Sequence, residues 1–319
     1  MNTWIISKPK QIGKVNTTEN LEQVDEIKVK ITRCFITKND IDAFTGAVKN
    51  VYPYVPGDIA VGQIIETPND DNEYVNKGAK VYLAPLQNTT YDNGYLRDFA
   101  VIPDGYAHVL PQNVNEADAL YLFHLSLALT VIDKLNIDKG QHVAILGGTI
   151  LGNIIAQLVM YYQAVPIVID SSQTNLDIAH KTDIYYTLLN DKSLESEVLS
   201  ITGGRKCSKV IYVTDSDINI DVIDKITANE AIVGVTGIAN TKTKLTCNLA
   251  FKKELSIQFI KNGIENIGTG INLLAQKAIN LSYFKLPVYK FEYSAKHFEN
   301  AASKIESGEQ NPEFIVDLL

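Results

Sequence analysis

Cysteine is scarce in this chain and poorly placed for chemistry. Its 319 residues include three cysteines, Cys34, Cys207 and Cys247, an odd and widely spaced set with no Cys-x-x-Cys pair. That spacing indicates neither a disulfide framework nor a cysteine zinc site, and the three read as ordinary reduced thiols. Positive charge is also in deficit. Lys and Arg number 29 against 37 Asp and Glu, a net charge of −8, which argues against nucleic acid or an anionic membrane as the main partner. Long apolar runs are missing too. Residues 1–8 carry only a short apolar run, so no signal peptide is expected and the expected location is cytoplasmic. The most apolar window, 144–162, is interrupted by Gly147, Gly148, Thr149, Asn153 and Gln157, and reads as strand, turn and helix rather than as a membrane span. There is no internal repeat and no low-complexity tract. What is left is an ordinary globular composition, 45% hydrophobic and 21% charged, long enough for two domains with their own cores.

The stretch from 143 to 170 is the most informative. It reads Val-Ala-Ile-Leu-Gly-Gly-Thr-Ile-Leu-Gly, then a helical segment, then Pro-Ile-Val-Ile-Asp. Gly147 and Gly152 take the first and last glycine places of a Gly-x-Gly-x-x-Gly turn, Gly148 and Leu151 lie within it, and Asp170 follows 18 residues after Gly152. Backbone N–H groups at a helix N-terminus hold a pyrophosphate, because the helix dipole favours an anion there. A carboxylate at Asp170 accepts hydrogen bonds from both hydroxyls of an adenine ribose and repels a 2′-phosphate. NAD(H) is therefore expected in preference to NADP(H). Thr149 stands in the middle-glycine place, where a β-branched side chain intrudes on the pyrophosphate. Either it shifts the cofactor and lends its hydroxyl as a phosphate donor, or it weakens binding as a clash.

Along the chain, the first hundred or so residues pattern as β-structure, with strands expected at 26–32, 60–66, 79–83 and 95–102 and polar loops at 67–78 and 86–94. From 115 the texture turns helical. Apolar strands at 142–146, 166–169, 210–213, 231–235 and 256–260 then alternate with helical segments, which implies a parallel sheet with helices on both faces. A helix over 153–163 places Ile154, Ile155, Leu158, Val159 and Tyr162 on one stripe. After about 286 come a strand at 287–293, a charged helix at 294–307 and a last strand at 314–318. Thr214 falls just beyond the strand at 210–213, and Thr236 and Gly237 just beyond that at 231–235, at carboxyl ends where a cofactor is expected to lie.

These features together resemble the medium-chain dehydrogenase/reductases, the zinc alcohol and polyol dehydrogenase superfamily, over essentially the whole chain. Residues 29–46 (VKITRCFITKNDIDAFTG) resemble the segment carrying the first catalytic zinc cysteine. Residues 52–66 (YPYVPGDIAVGQIIE) resemble the Pro…Gly-His-Glu…Gly-x-Val motif. Gly78-Ala-Lys-Val stands for Gly-Asp-x-Val, residues 94–103 for the Gly-x-Ala-Glu-Tyr strand, and residues 252–258 for the segment opening the last sheet strand. The resemblance implies an α/β protein: a GroES-like β-rich catalytic domain over 1–117 and 286–319, and a doubly wound Rossmann domain over 118–285. Cofactor and substrate would meet in the cleft between them. It also implies a homo-oligomer, dimer or tetramer, often built through the outer Rossmann edge near 256–270.

The departures from that pattern bear on function. The family's cysteine ligand falls on Thr37, Gly-His-Glu reads Gly57-Asp58-Ile59, and the third ligand falls near Phe123-His124. Zinc needs about three N, S or carboxylate ligands, and Asp58 and His124 supply two at most, so no catalytic zinc is expected. The four-cysteine structural zinc lobe is missing as well. The carbonyl-polarising group must then come from the protein. His124 is one candidate, titrating near neutrality, or else a histidine satisfied in an apolar helix. Asp58 is either a proton acceptor or a plain loop acid. Asn39 and Asp42 fall on the family's hydroxyl–histidine relay, which an amide does not carry. Tyr52 and Tyr54 read as wall or packing residues, and Thr130 lies on the helix whose family counterpart approaches the nicotinamide. The leading expectation is a zinc-independent NAD(H)-dependent oxidoreductase moving hydride to or from a small-molecule alcohol, carbonyl or activated alkene. A non-catalytic nucleotide-binding protein, a sensor or complex subunit, is the second reading, and a domain binding another nucleotide is the third.

Overall fold

The computed structural model describes residues 1–18, 21, 25–48, 52–68, 75–86, 94–213, 220–237, 247–307 and 312–319. It divides into two units, Met1–Tyr121 with Lys285–Leu319, and Leu122–Phe284. The strands are β1 (Asn2–Lys8), β2 (Gln11–Asn16), β3 (Glu26–Ile36), β4 (Ile59–Glu66), β5 (Lys80–Leu83), β6 (Phe99–Pro103), β7 (Ala107–Val109), β8 (His142–Leu146), β9 (Val165–Asp170), β10 (Tyr186–Leu189), β11 (Cys207–Val213), β12 (Thr227–Thr236), β13 (Ser256–Phe259), β14 (Val288–Lys290) and β15 (Phe314–Asp317).

In the first unit a sheet runs β14-β15-β3-β4-β5-β7, with β6 also paired to β3, and β1 and β2 form a separate hairpin. Strand β3 shows why alternation reads as strand here. Ile27, Val29 and Ile31 are buried while Lys30 is exposed, the period of two that a half-covered sheet requires. The sheet core takes Phe298 of the helix Ser294–Glu306 and Phe314 of β15. Trp4 Nε1 donates to the Phe291 carbonyl at 2.9 Å. The strand expected at 95–102 is shorter than its apolarity predicts. Tyr95 N–H donates to Gly57 O (2.7 Å) and Leu96 N–H to Pro56 O (3.0 Å), so this backbone turns onto residues 56–57 before β6 begins. Tyr95 and Leu96 are apolar because they are buried, and burial rather than strand geometry explains their pattern. The strand expected at 287–293 is likewise shorter, because Phe291–Tyr293 forms a 3-10 turn.

The second unit is a six-stranded, wholly parallel sheet in the order β10-β9-β8-β11-β12-β13. Numbered within the unit this is 3-2-1-4-5-6, the doubly wound dinucleotide-binding order, with its crevice where the order reverses between β8 and β11. Covered on both faces, β8 is apolar without alternation, and Val143, Ala144 and Ile145 are fully buried. The helix Ile150–Tyr161 buries Ile154, Ile155, Leu158 and Val159. No helix among the described residues is long and apolar enough to cross a membrane.

Candidate functional site

In the second unit the chain leaves β8 at Leu146 and turns at Gly147, whose N–H donates to Ile169 O of β9 at 2.8 Å. Gly147 has φ +105°, and a Cβ there would fall on the Val213 carbonyl oxygen. Only glycine fits both demands. At Gly152 a Cβ would fall on the Gly147 carbonyl oxygen, so this glycine lets the helix lie against the turn. Thr149 caps the helix with extended backbone (φ −61°, ψ 178°) and its hydroxyl makes no capping bond. The backbone therefore accepts a β-branched residue. What the threonine changes is the side chain at the turn, beside first-turn N–H groups, such as that of Leu151, that lack intrahelical partners.

Asp170, at the end of β9, closes the motif. Its Oδ2 accepts from Gly148 N–H (2.6 Å) and Asn175 Nδ2 (3.0 Å), and its Oδ1 from Ser172 N–H (2.7 Å). A carboxylate offers about four acceptor positions. Three are occupied, so one ribose hydroxyl can be received in this arrangement. At the carboxyl end of β12, Thr236 is buried and its hydroxyl has no partner among the described residues. Gly237 follows with φ +79°. Thr214 lies outside the described residues. Thr130, on the helix Leu122–Leu135, donates from its hydroxyl to Ser126 O (3.0 Å) and accepts from Asn266 Nδ2 (2.9 Å). Its donor is thereby committed within the fold. His124, on the same helix, is held neutral by burial, which lowers its pKa to about 4. Titration near neutrality is therefore not its behaviour.

The first unit contains a cluster that the sequence reading saw only in part. Asp40, in the first turn of the helix Lys38–Thr45, is wholly buried. It accepts from Tyr54 OH (2.7 Å), Gly57 N–H (2.8 Å), Thr37 N–H (2.9 Å) and the Thr37 hydroxyl (3.0 Å). Burial raises its pKa, and these donors oppose the rise by favouring the anion. Asp58 is pushed up to about 7, first by burial and then by the charge of Asp40, with a hydrogen bond to Tyr54 opposing. The same surroundings raise the Tyr54 phenol and the Cys34 thiol, so both stay protonated at neutral pH. With four donors on Asp40, the proton of the pair belongs to Asp58. Asp40 was not foreseen. Its one signal was its place three residues after Thr37, the spacing of a capping box.

The other expected positions fall apart from this cluster. Asn39 is exposed, and Asp42 is ion-paired with Lys38 Nζ at 2.7 Å, so neither is arranged as a relay. The donor set does not suit zinc. Thr37 is a neutral hydroxyl already given to Asp40, and among the described residues no three His, Cys, Asp or Glu side chains are grouped to hold a metal ion.

No family model matches the chain. An uncharacterized zinc-type alcohol dehydrogenase-like protein of Haemophilus influenzae is 24% identical over 291 residues, covering 84% of this chain and 85% of that one. A short chain alcohol dehydrogenase of Escherichia coli CFT073, solved with NADH, superposes with a TM-score of 0.84 at 19% identity, covering 100% of this chain and 99% of that one. Galactitol-1-phosphate dehydrogenase of Escherichia coli gives 0.83 at 15% identity, with 100% of both chains covered. The chain is thus similar in sequence to a zinc-type alcohol dehydrogenase-like protein and has the fold of these dehydrogenases, a β-rich unit with a parallel-sheet Rossmann unit.

Proposed function

We propose that this protein is a zinc-independent, NAD(H)-preferring oxidoreductase acting on a small-molecule alcohol or carbonyl, or on an activated alkene. The observation that carries the reading is the closed Gly147–Asp170 motif on a 3-2-1-4-5-6 sheet. Gly147, Gly148, Gly152 and the first turn of the following helix would hold the pyrophosphate, Asp170 the adenine ribose, and Thr236 and Gly237 a part nearer the nicotinamide. When bound, the nicotinamide supplies or accepts a hydride. The chain's own part is the proton. Asp58, protonated below about pH 7, gives a proton to the oxygen of a carbonyl as it is reduced and takes one from an alcohol as it is oxidised. The hydrogen bond to Tyr54 holds that carboxyl in place, and the charge of Asp40 favours its protonated form. Neutral His124 would serve as a hydrogen-bonding group rather than as an acid. The protein is read as cytoplasmic and homo-oligomeric in the same proposal.

The test is a fluorescence titration of metal-stripped protein with NADH and with NADPH, followed by alcohol, enone and quinone panels in the presence of a chelator. Micromolar NADH binding with turnover under chelation is the expected result. Turnover that returns only with added zinc would overturn the zinc-independent reading, and absence of NADH binding would overturn the whole of it. One observation favours a second reading, a non-catalytic nucleotide-binding protein: the relay positions Asn39 and Asp42 are turned to solvent and to Lys38. Tight NADH binding without turnover on any panel would select it.

A further inference from the structure

Asp170 is held by three donors of two kinds. Gly148 and Ser172 contribute backbone N–H groups, and Asn175 contributes a side-chain amide at 3.0 Å. Asn175 is 7% exposed, on the helix Gln173–Lys181 that follows β9. It also packs against the turn, since a Cβ built on Gly148 would lie 3.3 Å from both Asn175 Cβ and Asp170 Oδ2. The segment between acid and amide, Ser171-Ser172-Gln173-Thr174, contains no cation, so nothing within it offsets the carboxylate's charge.

We infer that Asn175 is a specificity-determining residue of the nucleotide site. With Gly148 N–H it occupies both acceptor positions of Asp170 Oδ2 and so fixes the carboxylate's rotation. The one position left, on Oδ1, is thereby committed to a single ribose hydroxyl, and the negative charge is pinned against a 2′-phosphate. Without the amide, Oδ2 keeps one restraint of two, the carboxylate turns more freely, and the hydroxyl loses a preset acceptor. This inference rests on the nicotinamide-cofactor reading above.

The experiment compares NADH and NADPH dissociation constants for the full-length protein and for Asn175→Ala and Asn175→Leu. The leucine variant keeps the side-chain volume against the turn while removing the donor. Both variants should weaken NADH binding about 3- to 10-fold, the worth of one hydrogen bond, with NADPH changed less than about 2-fold, so that the preference narrows. A purely structural role would weaken both cofactors alike and leave their ratio unmoved. An unchanged ratio in both variants, beside a parent that prefers NADH, overturns this inference and leaves the cofactor reading standing. A parent that binds neither cofactor, or shows no preference, overturns both.

Discussion

Tyr54 has one phenolic proton and two carboxylates to serve, Asp40 at 2.7 Å and Asp58. It can donate to only one of them at a time. Because Asp40 has three further donors, the arrangement favours an Asp40 anion and a protonated Asp58. In the proposed reaction, reduction draws on the acid form of Asp58, so its rate should fall as pH rises through about 7, and oxidation should rise over the same interval. Asp58→Asn should lower turnover about 10²-fold or more and abolish that limb of the pH–rate profile. The bond to Tyr54 lowers the Asp58 pKa, so Tyr54→Phe should move the limb upward in pH, whereas a packing role alone would leave its position unchanged. Stability follows the same sign. Asp58 has a folded pKa above its ordinary value of 3.8, so the stability it contributes is complete below that value and is lost as pH rises through about 7. Asp58→Asn should therefore raise Tm relative to the parent at pH 8, and the gain should shrink by pH 5.

The glycine turn after β8 joins two strands at one point. Gly147 N–H reaches β9, and the Val213 carbonyl of β11 occupies the place of a Gly147 side chain. Gly147→Ala should cost about 1–3 kcal/mol in unfolding free energy from backbone strain alone, read by denaturant titration, and should abolish NADH binding. At Thr149 the backbone carries no such strain. Thr149→Gly should leave the fold intact and tighten NADH binding by removing the side chain nearest the pyrophosphate place, as measured by fluorescence titration. This part of the chain was legible in the sequence because its signals are local: β8 lies at 142–146 as its apolar run indicates, and the glycine spacing is contiguous. The hairpin β1–β2 was not legible. Strand β2 is almost wholly exposed, and an exposed strand has no buried face to impress a period of two on its sequence.

The two units differ in how the chain builds them. Leu122–Phe284 is one continuous segment with a core of its own, which includes Ala144, Ile167, Val210 and Val233. The other unit needs both ends of the chain, through β15 on β3 and Trp4 on Phe291. A contiguous unit with its own core is expected to fold alone. Residues 122–284 expressed separately should melt cooperatively and bind NADH within about 10-fold of the full chain. A non-cooperative melt would show that this core depends on the remainder of the protein.

What could be read without coordinates was whatever rests on neighbours in sequence: the strand and helix periods, the Gly147–Gly152 turn and the acid ending β9. These depend on backbone geometry and side-chain type within a few residues. The proton-holding cluster depended on folding. Antiparallel pairing of β3 with β4 sets Cys34 against Ala60 and Phe35 against Ile59. The helix leaving β3 and the chain entering β4 therefore converge, bringing Thr37, Asp40, Tyr54 and Gly57 together. The perturbed acidity of Asp58 arises only there, because a carboxylate's proton affinity responds to burial and to charges brought near by the fold, and neither is written in the order of the residues.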